Sequence, residues 1–254
     1  MHIKTATLNG VATIEIARPE KKNALTADMY AAMAAALRAA DADAAVRAVL
    51  IAGQPGIFTS GNDIDDFMAR PPAAADAPVF EFMRALVACS KPVVAAVTGA
   101  AIGIGTTMLL HCDLVYVSDE ARLAMPFVSL GLVPEFASSL IVPALVGHAK
   151  AAEKLLLGEP FTAEEAVEMR IANAVLSAGE VVRHARRVAE RFNALPPSAV
   201  RETKRLMRRA TGASVLEAIE IEAEVFRLRL SSPEATEAFS AFFQKRKPDF
   251  AAFT

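Results

Sequence analysis

The sequence predicts an α/β protein with a helical C-terminal region, and three observations carry the prediction. Alternating segments around Asn9-Gly10 open the chain, short apolar runs then recur between helix-forming stretches, and helix caps dominate beyond position 137. Strands separated by helical stretches imply layered α/β packing, and a run of capped helices after them implies a further helical layer.

Taken in order, "IKTATL" and "VATIEIA" flank Asn9-Gly10, a two-residue hairpin signal because both positions accept positive φ. Thr26 is placed to N-cap an alanine-rich helix running to about Ala40. "AVLIAG" reads as a short apolar strand, and "DIDDFM" begins another helix. "PVVAAV", "DLVYVS" and "ARLAMP" read as further buried strands, with "IGTTMLLHC" helical between the first two. Thr162 with Glu165, and Ser214 with Glu217, have the spacing of capping boxes. Ser232-Pro233 fits an N-cap followed by proline at the first helical position. Pro196-Pro197 interrupts the long helix after Glu180 and is the best hinge candidate, dividing the chain into a body, residues 1–195, and a helical region, residues 196–254.

The bulk numbers exclude several classes. A chain of 254 residues can bury a full core as one large domain or one domain plus an appendage. A formal net charge of −2 without basic tracts speaks against a nucleic-acid partner. Cys89 and Cys112 are too few for a disulfide framework and lack metal spacing, so two reduced thiols and no metal are expected. Pro92 to Leu110 is uncharged and about long enough to cross a bilayer. It contains a proline, three glycines and three threonines, and fits a buried strand, a glycine turn and a buried helix better. With no signal or retention motif at either end, a cytoplasmic protein with no membrane partner is expected. Phe239, Phe242, Phe243 and Phe250 stand beside a basic cluster and fit a core or a subunit interface, with a ligand wall as the alternative for Phe250.

Two glycine turns stand out chemically. In "FTSGND", Gly61 lies between a strand and a helix, which leaves the amides of Asn62 and Asp63 free at a helix N-terminus. "GAAIGIG", residues 99–105, repeats that arrangement, and its spacing is not that of a dinucleotide fingerprint. Such turns either serve packing or aim two amides at one oxygen, the geometry of an oxyanion hole. His111 sits in an apolar helix and reads as a satisfied core residue, and His148 as the start of a helix. Glu135 is the only charged residue between Arg122 and His148. It is either a solvated turn residue after Pro134 or a buried carboxylate whose pKa is pulled up by burial and down by the amides of the following helix.

Together these segments resemble the crotonase (enoyl-CoA hydratase/isomerase) superfamily. "ARPEKKNALT" looks like its N-terminal signature and "FTSGNDIDDF" like its first oxyanion-hole segment. "KPVVAAVTGAAIGIGTTMLLHCDLVYVSDEARLAMPFVSLGLVPE" is similar to its central signature, and "GEPFTAEEAVEMRIANAVL" to the stretch that follows. The resemblance covers nearly the whole chain. It implies a spiral of ββα units, a helical C-terminal trimerisation region, and homotrimers or hexamers. The implied ligand is an acyl-CoA thioester, with CoA as part of the substrate and no separate cofactor.

By the same resemblance the oxyanion amides belong to Asn62, after Gly61, and to Ile104. The backbone near Lys22, Asn23 and Ala24 approaches the CoA moiety, and Lys21 or Lys22 meets phosphates. Ser60 and Asp63 hold the loop or line the channel, with Ile64 and Phe127 also at the substrate. The two glutamates of true hydratases map to Thr107 and Phe127, neither of which titrates, so efficient hydration is not expected. "SGND", "PF" before "LG" and "PE" before "SS" resemble the peroxisomal-type Δ3,Δ2-enoyl-CoA isomerases, whose catalytic glutamate maps to Glu135. Phe136 replaces a glycine common after that glutamate. A hydratase or other lyase of the same superfamily, and an acyl-CoA-binding or RNA-associated member without catalysis, stand as the alternatives.

Overall fold

Asn9 and Gly10 both take positive φ, 50° and 70°, which lets β1 (Ile3–Leu8) and β2 (Val11–Ile16) close as an antiparallel hairpin. The structure is a computed structural model that describes residues 2–72 and 74–253. Helix α1 (Ala27–Ala42) starts where expected, the Thr26 hydroxyl accepting from the Met29 amide at 3.3 Å. Its Met29, Met33 and Leu37 form a buried stripe at helical spacing.

From there strands alternate between two sheets. β3 (Ala48–Ala52), β5 (Val93–Val97), β7 (Leu114–Ser118) and β10 (Ala174–Leu176) extend the first sheet in the order β1-β2-β3-β5-β7-β10. β4 (Gly56–Thr59), β6 (Gly99–Ile102), β8 (Arg122–Ala124) and β9 (Phe161–Thr162) make the second, in the order β4-β6-β8-β9. Each pair β3–β4, β5–β6 and β7–β8 is followed by helix: α2 (Ile64–Ala69) and α3 (Pro78–Ala88), then α4 (Ile104–Thr107), then α5 (Ser138–Val146) and α6 (His148–Leu155). The repeating strand–strand–helix unit winds the chain into the expected spiral, parallel within each sheet except at the β1–β2 and β8–β9 pairs. β3 and β5 are buried at every residue, as parallel strands covered on both faces must be. One cover is α8 (Val181–Arg191), whose Val181, Ala185 and Ala189 meet Ala48, Leu50, Val94 and Ala96.

α7 (Ala163–Glu168) carries the Thr162–Glu165 capping box. α9 (Pro197–Met207), α10 (Gly212–Leu230) and α11 (Pro233–Phe243) form the helical end, with the Ser232 hydroxyl capping α11. Ser214 and Glu217 do not form a capping box. α10 begins a turn earlier, and the Val215 amide already bonds to the Thr211 carbonyl, so Ser214 lies inside the helix. The helix after Glu180 ends in a 3₁₀ turn at Phe192–Ala194, and Pro197 starts α9 rather than bending a continuous helix. Of the C-terminal phenylalanines only Phe239 is core, while Phe242 and Phe243 are 55% and 50% exposed. The helical end is held to the body by buried charge: Lys204 reaches Asp113 at 2.6 Å and the Lys91 carbonyl at 2.7 Å. Among the described residues no helix is long and apolar enough to cross a membrane, and no group of His, Cys, Asp and Glu has the arrangement of a metal site. Cys89 and Cys112 are free thiols.

Candidate active site

Parallel strands β4 and β6 end side by side, and each runs through a glycine of positive φ into a helix: Gly61 (φ 92°) before α2, Gly103 (φ 57°) before α4. The two turns touch. A Cβ on Gly61 would lie 2.9 Å from the Ile102 carbonyl oxygen, and one on Gly105 would lie 2.6 Å from the Thr59 methyl. Only glycine allows this approach and this φ together. Asn62 and Ile104 therefore follow adjacent turns, and among the described residues neither amide meets a hydrogen-bond acceptor. Asp63 does not share this freedom. Its amide bonds to the Leu25 carbonyl at 2.9 Å, because residues 25 and 62 pair as an isolated bridge. The first turn thus offers one amide rather than two.

The side chains around this loop are structural. The Asp63 carboxylate caps α2 through the Asp66 amide (3.0 Å) and pairs with Arg18 at 2.6 Å. Burial works against its charge, but the Asp66 amide and Arg18 outweigh burial and hold the carboxyl below its ordinary value. Asn23 is fully buried, donating to the Ile16 and Phe58 carbonyls at 3.0 Å and accepting from the Arg18 amide at 2.7 Å. The Ala24 carbonyl accepts from Arg18 at 2.9 Å, and the carbonyl of exposed Lys22 accepts from the Ser60 amide at 3.1 Å. Residues 22–24 thereby run alongside the Gly61 loop, with exposed Lys21 3.9 Å from Asp65. Ile64 opens α2, and Phe127 lies 3.8 Å from a Cβ built on Gly103.

Glu135 is 5% exposed and lines an apolar pocket with Phe67, Val79, Phe80, Met83 and Phe226. Among the described residues it is the only ionisable side chain lining that pocket. The Thr107 hydroxyl, on the helix that Ile104 opens, lies 3.5 Å from its Oε1. The amides of the following helix do not reach it. Glu222, buried on α10, takes the Ala137 amide and the Ser139 amide (2.9 Å) and hydroxyl. Burial raises the Glu222 carboxyl as well, and those donors offset part of the rise. Its charge adds to the desolvation of Glu135, which is pushed up to about 8 against the weaker pull of Thr107. Tyr30 joins the two halves: its phenol donates to the Asn62 side-chain oxygen. Burial, then the charges of Glu135 and Asp66, raise it well above its ordinary value and keep it protonated.

Residues 6–252 match the family model described as enoyl-CoA hydratase/isomerase. The chain belongs to the enoyl-CoA hydratase/isomerase family. That family acts on acyl-CoA thioesters, and the crotonase fold expected from the sequence is the fold observed. The solved structure of OdaA from Pseudomonas aeruginosa is 54% identical, with a TM-score of 0.93 over 95% of this chain and 98% of that one. The probable enoyl-CoA hydratase echA8 of Mycobacterium leprae is 31% identical over 94% of each chain. Human enoyl-CoA delta isomerase 2 is 32% identical over 94% of this chain, which spans 62% of that protein's length. Relatives in the enoyl-CoA hydratase/isomerase family thus carry both names.

Sequence reasoning missed Tyr30, Arg18 and Glu222. For Glu222 a signal existed. It falls among Ile219, Ala223 and Phe226, all buried, so it is a carboxylate inside an apolar helical stripe.

Proposed function

We propose that this chain is an enoyl-CoA isomerase that moves the double bond of a 3-enoyl-CoA to the 2-position. The observation that carries the reading is Glu135: a buried carboxylate, alone among the ionisable side chains of the described residues in its pocket, beside the helix that opens with the Ile104 amide. Its carboxylate takes a proton from C2, and the electron pair moves into the thioester. The amides of Asn62 and Ile104 stabilise the oxyanion. The resulting acid returns a proton at C4, and the double bond settles between C2 and C3. One group suffices because the proton leaves and returns on one face. Hydration would also require a held water and a second proton donor, and Thr107 and Phe127 supply neither a base nor an acid. The burial of Glu135 also speaks against a member that has lost its catalytic group.

The test is a pair of substrates followed by product mass and chromatography. 3-Hexenoyl-CoA should give a product of unchanged mass and new retention, while crotonyl-CoA should remain as it is. Rapid gain of one water by crotonyl-CoA would overturn the isomerase reading in favour of a hydratase. Glu135→Gln should still bind acyl-CoA and lose at least about two orders of magnitude in rate. Exposed Met207, Leu228, Phe242 and Phe243 on the helical end support assembly of copies into a trimer or hexamer, checked by light scattering of the purified chain.

A further inference from the structure

Phe136 holds a backbone conformation that suits a glycine. Its φ is 60° and that of Ala137 is 57°, and a bulky residue in this region persists only where its surroundings enforce it. Two contacts do so. The ring, 1% exposed, stacks on His111 at 4.0 Å between centroids and meets Phe82 edge-on at 6.2 Å. Nε2 of His111 lies 2.7 Å from the Phe136 carbonyl oxygen, which can only accept, so Nε2 carries the proton of an imidazole that burial holds neutral. The carbonyl bond needs no aromatic side chain, since any residue here would accept it. What the phenyl ring adds is volume.

That volume separates two unequal spaces. On one side Phe136 lines the pocket of Glu135, whose free space is about 10 Å³, room for about one water. On the other side His111 lines a groove of about 400 Å³ between α3, α5 and α10, with Val87, Ile141 and Val215 in its walls and exposed Leu140, Thr211 and Ser214 at its open rim. An acyl tail running past Glu135 in that direction would meet the Phe136–His111 stack before that larger, mostly apolar groove. We propose that Phe136, braced by His111, is the end wall of the acyl pocket and restricts the site to short acyl chains. This rests on the thioester reading above and adds the length of chain accepted.

The experiment measures binding and turnover separately. Binding of hexanoyl-, octanoyl- and decanoyl-CoA by calorimetry should weaken with length in the native chain. A native chain that binds decanoyl-CoA as tightly as hexanoyl-CoA overturns the proposal without any variant. Phe136→Gly relieves the strained φ and opens the wall, and should move the decanoyl-to-hexanoyl affinity ratio toward the longer chain by at least about tenfold, the low end for a single methylene in an apolar pocket. Val215→Phe added to Phe136→Gly narrows the larger groove at its α10 wall and should reduce that shift, whereas Val215→Phe alone should leave the native length profile in place. A folded Phe136→Gly with an unchanged ratio refutes the end-wall role. A shifted binding ratio in a protein that isomerises none of the matching 3-enoyl-CoAs would uphold the wall and refute the reaction.

Discussion

Glu135 can act as a base only when ionised, and its surroundings oppose ionisation. Burial and the charge of Glu222 raise its pKa from 4.5 to about 8. At about 1.4 kcal/mol per tenfold, the fold favours the protonated form by on the order of 5 kcal/mol. If the rate follows the carboxylate, kcat/KM for 3-hexenoyl-CoA should rise tenfold per pH unit below about 8 and level off above it. Between pH 8 and pH 6 the loss should be about 50-fold. A profile that bends near 4.5 and is flat from pH 6 to 9 would refute the reasoning, because it would mean a solvated base. Stability carries the same signature with a defined sign. The folded chain binds a proton that the unfolded chain has released between pH 4.5 and about 8. Stability is therefore greatest below 4.5 as far as this group is concerned, and falls as pH rises through 8. Glu135→Gln should remove that slope and be the more stable protein at pH 9 in urea unfolding. An equal slope in both proteins would place the titration elsewhere.

Glu222→Gln removes the like charge and leaves one acceptor oxygen where two now serve the Ala137 and Ser139 amides, so the bend in the pH–rate profile should move below 8; an unmoved bend would show that Glu222 does not act on Glu135. Gly61→Ala forces a Cβ to 2.9 Å from the Ile102 carbonyl at a φ of 92°. With the Asn62 amide displaced, kcat should fall about 10²–10³-fold, and an unchanged rate would remove Asn62 from the oxyanion site. Asn23→Ala strips buried partners from the Arg18 amide and the Ile16 and Phe58 carbonyls and should cost about 2–4 kcal/mol in urea unfolding, with a cost near zero as the refuting result.

What could be read in the sequence was whatever the local chain decides. Asn9-Gly10, the Thr26 and Ser232 caps and the apolar runs of β3 and β5 encode their structures within a few residues, and all appear as expected. The glycine turns were also visible, because a glycine between strand and helix frees an amide wherever it stands. Partners chosen by the tertiary fold were not visible. Nothing local indicates that the Asp63 amide would be taken by Leu25, or that Tyr30 would reach Asn62 from α1. Ser214 misled because a cap depends on where the helix begins, and α10 begins at Gly212.

The acidity of Glu135 shows best why local reading falls short at a site. From sequence, burial and the amides of α5 pull in opposite directions, and their balance points to a moderately basic carboxylate. The fold gives those amides to Glu222, 83 and 85 positions further along the chain, on a helix of the C-terminal region. A force that would have favoured Glu135 ionisation becomes a neighbouring carboxylate whose charge opposes it. Both changes push in one direction, so the carboxyl lies near 8 rather than between the extremes. The same strained turn that passes the amides to Glu222 also carries the Phe136 ring into the wall of the pocket. The acidity of Glu135 and the place of the Phe136 ring are thus both tied to one turn of the chain, at residues 135–139, and to the α10 carboxylate that holds it. A substitution that relaxes this turn should alter the pH profile and the chain-length profile together, which separates it from one that merely enlarges the pocket.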